Sequence, residues 1–361
     1  MKRSDYGRRS LHLLLMLTVL ALVCTSSGLA QTADMTVRVM DVGHGDAILV
    51  QFPNGQNMLV DAGDSGSGSR VVDYLKNDLK IKKIDILVAT HPHEDHVGGM
   101  PAVVNAFEIG KVWDSGYDCN EHQQFLRALR KNSRVSETRK SGYTKQVGEA
   151  RIDVLAPVKP ISGTDNDPNN NCLVLRIVYK NVSFLLAGDM ETDERATVHS
   201  FPRSTVLKVA HHGSSDGTDS RFLAEVSPEY AVISLAAKND FGYPHASVLD
   251  ALKKLPATVY CTSTCGTVVF TTDGNAIKDV KPQRSAECVI PAATPLPQSP
   301  PAVAPPPPPP AAATRYIGNV NSLAFHLPTC NSLPAKKNQV WLKSREEAIA
   351  LGYHPCPRCK P

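Results

Sequence analysis

Ala89-Thr90-His91-Pro92-His93-Glu94-Asp95-His96-Val97-Gly98-Gly99 decides how this chain is read. Three histidines and an aspartate fall within six positions, directly after the apolar run Ile84 to Val88. Such a run reads as a buried β-strand, so the cluster sits on the loop leaving it. Imidazoles and a carboxylate converging from one short loop suit one or two divalent metals such as zinc or manganese. A polar turn has no need of His-x-His-x-Asp-His, so the stretch is read as a metal site first.

Polar residues recur where other apolar runs stop. Met58-Leu59-Val60 ends on Asp61, and Phe184 to Ala187 ends on Gly188-Asp189. Val206 to Ala210 ends on His211-His212, and His245 follows the run Tyr230 to Leu235 after a loop. A single aspartate after a strand is ordinarily a turn or capping residue. Several such strand ends in one chain are how a scaffold makes loops converge on one site. Short apolar runs come first as consecutive hairpins and later alternate with helical stretches near Arg70–Leu79, Pro101–Phe107, Glu121–Lys131, Glu191–His199, Ser220–Val226 and Ser247–Leu255. The expected class is α/β of the α+β kind, with two mixed sheets covered by helices.

The ends of the 361-residue chain differ from its middle. Residues 1–30 read as a cleaved signal peptide, with Lys2, Arg3, Arg8 and Arg9 before the apolar stretch Leu11 to Val23 and small residues at Gly28-Leu29-Ala30. The stretch is short for a membrane span. The mature chain is therefore expected to be secreted or periplasmic. Residues 282–314 are rich in Pro and Ala and read as a semi-extended linker. They separate a block large enough for one sizeable core, 31–281, from a tail, 315–361, too small to hold together without a staple. Residues 1–30 are net +3 and the tail net +5 of a total of +4, which leaves −4 for residues 31–314. Overall basicity is thus no argument that the block binds nucleic acid, whereas the tail carries that attraction.

With these motifs in order, the chain resembles the metallo-β-lactamase superfamily, and within it the extracellular hydrolase domain of ComEC-type DNA-uptake proteins. The resemblance spans roughly Thr36 to Thr272. It rests on Asp41-Val-Gly-His-Gly-Asp46, Val60-Asp-Ala-Gly63, His91 to Gly99, Asn169-Asn-Asn-Cys-Leu-Val-Leu175, Leu186-Ala-Gly-Asp189, Lys208-Val-Ala-His-His-Gly-Ser214 and Tyr243-Pro-His245. It implies a four-layer αββα sandwich with two divalent ions, zinc or manganese, at one edge. His91 and His93 would bind the first ion, Asp95 and His96 the second, and Asp189 both. One of His211 and His212 would complete the second site, since adjacent side chains at a strand end point apart and do not bind the same ion, with a slight preference for His211. Asp61 would orient a histidine or the loop. Asp95 would orient a metal-activated water as nucleophile, and His245 would protonate the leaving group or contact the scissile phosphate. His245 can equally be a loop residue capping the helix that starts at Ala246.

One departure stands out. Where many members of the superfamily place a further first-site histidine, this chain reads Asp167-Pro-Asn-Asn-Asn-Cys172. The first ion is then held more weakly or completed by water, and Cys172 is read as a buried structural cysteine more readily than as a ligand.

In the tail, His326-Leu-Pro-Thr-Cys330 and Cys356-Pro-Arg-Cys359 offer two ligand pairs, which together close a tetrahedral structural zinc site. Disulfides are the competing reading in an exported protein, but three cysteines leave one over. The tail resembles the metal-binding module of Ada-type DNA repair proteins, with His326 in place of the first cysteine. The expected function is an exported metal-dependent nuclease or phosphodiesterase acting on DNA, with the tail as anchor. The alternatives are a phosphocholine esterase or lactonase on the same fold, or a non-catalytic DNA-binding protein.

Overall fold

A computed structural model describes residues 33–119, 122–284 and 316–359, and the chain divides into two compact units at residues 294 and 295. The expected signal peptide, 1–30, and most of the expected linker lie outside the described residues.

The first unit opens with β1 (Met35–Val39), β2 (Ile48–Gln51), β3 (Asn57–Val60), β4 (Lys83–Val88), β5 (Glu108–Asp114) and β6 (Ser136–Thr138). A second sheet takes β7 (Thr144–Val147), β8 (Ala150–Ala156), β9 (Val174–Tyr179), β10 (Val182–Leu186), β11 (Val206–Lys208), β12 (Tyr230–Ile233) and β13 (Thr258–Cys261). The chain then returns to add β14 (Val268–Thr272) and β15 (Ile277–Pro282) beside β1. In each sheet an antiparallel meander passes into parallel pairing, β1–β2–β3 into β4–β5–β6 and β8–β9–β10 into β11–β12–β13. Parallel pairing demands crossovers, and the crossovers supply helices.

Those helices are α1 (Gly68–Asp73, continued by a π turn Tyr74–Asp78), α2 (Glu94–Val97), α3 (Met100–Ala106), α4 (Gln123–Lys131), α5 (Thr192–Thr197), α6 (Ser220–Val226) and α7 (Ala246–Lys253). Their apolar faces have helical spacing; in α4 the buried set is Phe125, Ala128 and Leu129. Three cores result. Val37, Val50 and Ile86 of the first sheet meet Ile152, Ile177 and Phe184 of the second. Leu49, Leu59 and Leu87, on the other face of the first sheet, pack under Val71, Val103 and Phe125. Leu185, Leu207 and Ala231 pack under Phe222, Val226 and Leu249. Each large aliphatic side chain so buried contributes about 1.5–3 kcal/mol. Alternation along the strands thus produces helix, sheet, sheet and helix in four layers, the αββα sandwich.

Two expectations need adjusting. The His91–His96 stretch is not all loop, because α2 begins at Glu94 with His93 as its extended N-cap residue. The first unit also runs past residue 281. Pro282 closes β15, an edge strand where a missing N–H is tolerated, and the N–H groups of Gln283 and Arg284 bond back to Thr267 and Cys265.

The second unit is one small sheet of β16 (Tyr316–Asn319), β17 (Ala324–His326), β18 (Gln339–Leu342) and β19 (His354–Pro355), in the order β18-β16-β17-β19. The helix α9 (Arg345–Ala350) follows α8 (Thr262–Cys265) of the first unit in chain order. Its N-cap Ser344 accepts the Glu347 N–H at 3.1 Å, and the Glu347 carboxylate accepts the Lys343 N–H. The unit's hydrophobic cluster is Phe325, Leu342 and Ala348, with Tyr316, Val340 and Tyr353 partly buried against it.

Candidate metal centre

The strand ends that carry Asp and His meet at one edge of the sandwich. Asp61 follows β3, His91 follows β4, Asp189 follows β10, and His211 and His212 follow β11. Both latter histidines have left-handed backbones, φ 46° and 51°, a conformation worth about 1–3 kcal/mol of strain apiece. The turn is fixed by the His211 N–H to Gly188 O bond of 2.9 Å and by His212 Nδ1 at 2.8 Å from Ser234 O. Gly45 is required for the same convergence: its φ is +111°, and a Cβ there would lie 2.0 Å from the carbonyl oxygen of Asp95.

Four side chains converge most tightly, Asp95, His96, Asp189 and His212. His96 Nε2 and His212 Nε2 each lie 3.2 Å from Asp189 Oδ2. Asp95 Oδ2 is 3.2 Å from His212 Nε2 and 3.6 Å from His96 Nε2. Ligands about 2.0–2.1 Å from one tetrahedral ion are separated by roughly 3.3 Å, so these separations fit a shared cation. His96 Nε2, His212 Nε2 and Asp189 Oδ1 are buried and have no hydrogen-bond partner, as donors awaiting an ion do. Of the adjacent pair, His212 joins the tetrad, not the slightly preferred His211. The left-handed turn brings His212 inward, whereas His211 Nδ1 faces Glu191 Oε1 at 3.2 Å and its Nε2 is 3.8 Å from Asp189 Oδ2.

Outer partners aim these ligands. Asp61 is fully buried and accepts from Thr90 N at 2.9 Å and Thr90 Oγ1 at 2.7 Å, with His96 Nδ1 2.8 Å away. A proton on Nδ1 leaves Nε2 of His96 free to ligate, and Ser234 O does the same for His212. Beneath the tetrad, Lys208 Nζ of β11 pairs with Asp46 Oδ2 of the β1–β2 loop at 2.9 Å, both fully buried.

The electrostatics agree with a cationic occupant. Burial opposes charge on His96, yet Asp189, Asp95 and Asp61 hold its imidazolium well above the ordinary histidine range. Burial likewise opposes charge on His212, which Asp189 and Asp95 push up to about 9. Asp189 is held well below the usual carboxylate range, its burial outweighed by His212, His96 and His211. Asp95 is lowered too, against its burial, by His96 and His212. Two imidazolium protons thus do here what one divalent ion does by displacing them.

The first-site residues are sparser. His91 Nε2 and His93 Nδ1 are 3.1 Å apart, and His91 Nε2 is 3.9 Å from Asp189 Oδ2. Burial and the neighbouring His96 hold His91 neutral. Cys172 Sγ lies 3.7 Å from His91 Nδ1, the nitrogen turned away from His93, and accepts the Asp189 N–H at 3.3 Å. It supports both ligands from behind. Asn169, in the Asp167–Cys172 stretch that lacks a histidine, lines the centre and has a buried Oδ1 without a partner.

A cavity of about 410 Å³ opens over the centre, lined by His44, His93, Asp95, Asn169, Phe241 and Tyr243 among others. His245 is not among its lining residues. Its Nδ1 accepts the Ser215 N–H at 3.0 Å, and it serves as the N-cap residue of α7. Tyr243 stands there instead, with Oη 3.3 Å from His211 Nε2. His44, whose Nε2 is 4.0 Å from Asp95 Oδ2, is another cavity residue that carried no role in the sequence reading. Burial and His212 lower its pKa to about 4. Its place in Gly43-His44-Gly45 was the available signal, since two flanking glycines allow a close backbone approach.

In the tail, ligand atoms of His326, Cys330, Cys356 and Cys359 lie within 4.8 Å of one another. His326 Nδ1 is buried without a partner. The Cys356 thiol is lowered to about 7 by the Cys359 N–H, against its burial and with help from the Arg358 N–H. This donor set fits a closed structural zinc site.

Residues 309–361 match the family described as the metal binding domain of Ada, and residues 40–237 match the metallo-beta-lactamase superfamily. The chain is similar to ComE operon protein 3 of Bacillus subtilis, 28% identical over 255 residues that make up 65% of this chain and 32% of the relative. It is similar to Recombination protein 2 of Haemophilus influenzae, 28% identical over 240 residues, 64% of this chain and 28% of the relative. Competence protein ComA of Neisseria gonorrhoeae is 28% identical over 241 residues, 66% of this chain and 32% of the relative. The chain thus spans about a third of the length of these relatives. No helix among the described residues is long and apolar enough to cross a membrane. With the tetrad inside the matched span, the chain belongs to the metallo-beta-lactamase superfamily of metal-dependent hydrolases and carries an Ada-type metal-binding module behind it.

Proposed function

We propose that the protein is an exported phosphodiesterase that cleaves DNA, with the basic tail as substrate anchor. The observation that carries this reading is the open Asp95–His96–Asp189–His212 tetrad at the floor of a cavity. It is joined to similarity with relatives named for competence and recombination. A purely structural ion would be expected in a closed site, as in the tail.

In this reading Asp95, His96, Asp189 and His212 would hold one ion, zinc or manganese, and His91, His93 and Asp189 would hold a second more weakly. Divalent ions, when bound, lower the pKa of water toward neutrality and offset charge on a phosphoryl oxygen. Asp61 keeps the His96 proton on Nδ1. Glu191, beside His211, keeps that imidazole turned toward Tyr243, whose hydroxyl we assign to the leaving oxygen in place of His245. The DNA-uptake context of the relatives supports an extracytoplasmic location.

The test is hydrolysis of linear DNA, phosphocholine esters and lactones by purified protein, with and without Mn²⁺ or Zn²⁺. DNA cleavage should require metal and be lost in Asp95→Ala and Asp189→Ala. Cleavage that survives either substitution, or turnover confined to the esters or lactones, overturns the reading. Deleting residues 315–361 should weaken DNA binding more than turnover of a small phosphodiester; equal losses would remove the anchor role.

A further inference from the structure

The cavity has an aromatic wall of which the hydrolytic chemistry uses only the Tyr243 hydroxyl. Phe241 and Tyr243 stack with centroids 5.4 Å apart and an interplanar angle of 19°. His44 lies nearly parallel to both, 5.2 Å and 20° from Phe241 and 6.2 Å and 21° from Tyr243. The same His44 ring is 4.4 Å from His212 of the tetrad. Three near-parallel rings therefore lead from the metal centre to the cavity rim.

The outer ring is uncovered. Phe241 is 60% exposed, and among the described large apolar side chains of this unit only Val135, Val158 and Phe241 are exposed to a comparable degree. Neither valine lines the cavity. A phenylalanine left in water forgoes the burial that stabilises its counterparts in the cores, and in line with two further rings beside the centre it leaves an apolar face open to a ligand. Parallel rings offer a flat π face. The ligand such a face suits is planar and aromatic, and a phosphodiester that carries a planar aromatic group next to its phosphate is a nucleotide.

We propose that Phe241, supported by Tyr243 and His44, is a stacking platform for an unpaired nucleobase adjoining the scissile phosphate, which makes single strands and frayed ends the substrates. This rests on the phosphodiesterase reading above. A base inside a duplex is already stacked on both faces and cannot use the platform without being unstacked first. Each base–aromatic stack is worth about 5- to 150-fold in affinity.

The experiment uses the full chain loaded with zinc and two fluorescein-labelled hexamers, one of thymidine and one of abasic tetrahydrofuran units, both phosphorothioate-linked to prevent turnover. Phe241→Ala should weaken the thymidine hexamer by at least about 5-fold and leave the abasic hexamer unchanged. Phe241→Trp should restore binding, and Phe241→Leu, apolar but without a π face, should not. Equal weakening of both hexamers, no weakening, or full rescue by leucine overturns the platform. Unmodified hexamers separate this from the parent reading. If neither is cleaved while the thymidine-specific loss persists, the nuclease assignment fails and the platform stands. If both are cleaved and Phe241→Ala affects them alike, the platform alone fails.

Discussion

Asp61→Asn should strip the tetrad of its metal without emptying the tail. The carboxylate accepts both Thr90 donors through separate oxygens, and Oδ2 also faces His96 Nδ1. An asparagine keeps Oδ1 for the Thr90 N–H, because flipping the amide would set donor against donor. Its NH₂ then faces His96 Nδ1, which must give up its proton and accept. The neutral ring then keeps its proton on Nε2, the atom that would ligate. The loss is one charge-assisted hydrogen bond to a buried imidazole, about 1.5–3 kcal/mol. That is roughly 10- to 150-fold in affinity, in line with the 10- to 100-fold typical of such outer partners. Zinc titration of the full chain against a competing chelator reads it directly, with circular dichroism melting as the check on folding. A folded Asp61→Asn protein that binds zinc at the hydrolase centre as tightly as the parent would refute the argument.

Further expectations follow from the same geometry. His212→Asn should abolish tight binding at the tetrad, whereas His211→Asn should leave stoichiometry intact and slow turnover; equal metal loss from both would undo the assignment. Glu194 is buried, and burial pushes its carboxyl well above the usual range, with the Cys172 N–H pulling the other way. Below the unfolded-state pKa both states are protonated. Above it only the unfolded chain ionises, so stability falls with rising pH by up to about 1.4 kcal/mol per unit until the folded group also ionises. Glu194→Gln should therefore raise the melting temperature at pH 7, with the gain vanishing near pH 4; a gain that does not depend on pH would exclude this cause. Removing metal from the tail, by chelation or Cys330→Ser, should unfold residues 316–359, since Phe325, Leu342 and Ala348 are too small a core alone. Resonances of that segment that stay dispersed in the metal-free protein would contradict it.

The strands that bear ligands were legible because they are buried on both faces, and their apolar runs stop abruptly on Asp or His. β5 is hard to read from the sequence because Glu108, Gly110 and Lys111 are exposed and break its apolar run. Neither spacing nor residue type distinguishes His211 from His212. What separates them is a pair of left-handed backbones imposed by Gly188 and Ser234, which belong to other elements. The aromatic wall was invisible for a related reason: His44 and Phe241 are nearly two hundred positions apart and meet only when the sheets pack.

The Lys208–Asp46 pair gives that packing a further meaning. Asp61, His91 and His96 hang from the first sheet, Asp189 and His212 from the second, and Lys208 reaches across between them. A chain with one sheet formed would hold only part of the donor set, with Lys208 and Asp46 still unpaired. Half-assembled chains are thereby poor chelators. A complete donor set for a metal therefore exists only once the two sheets have docked.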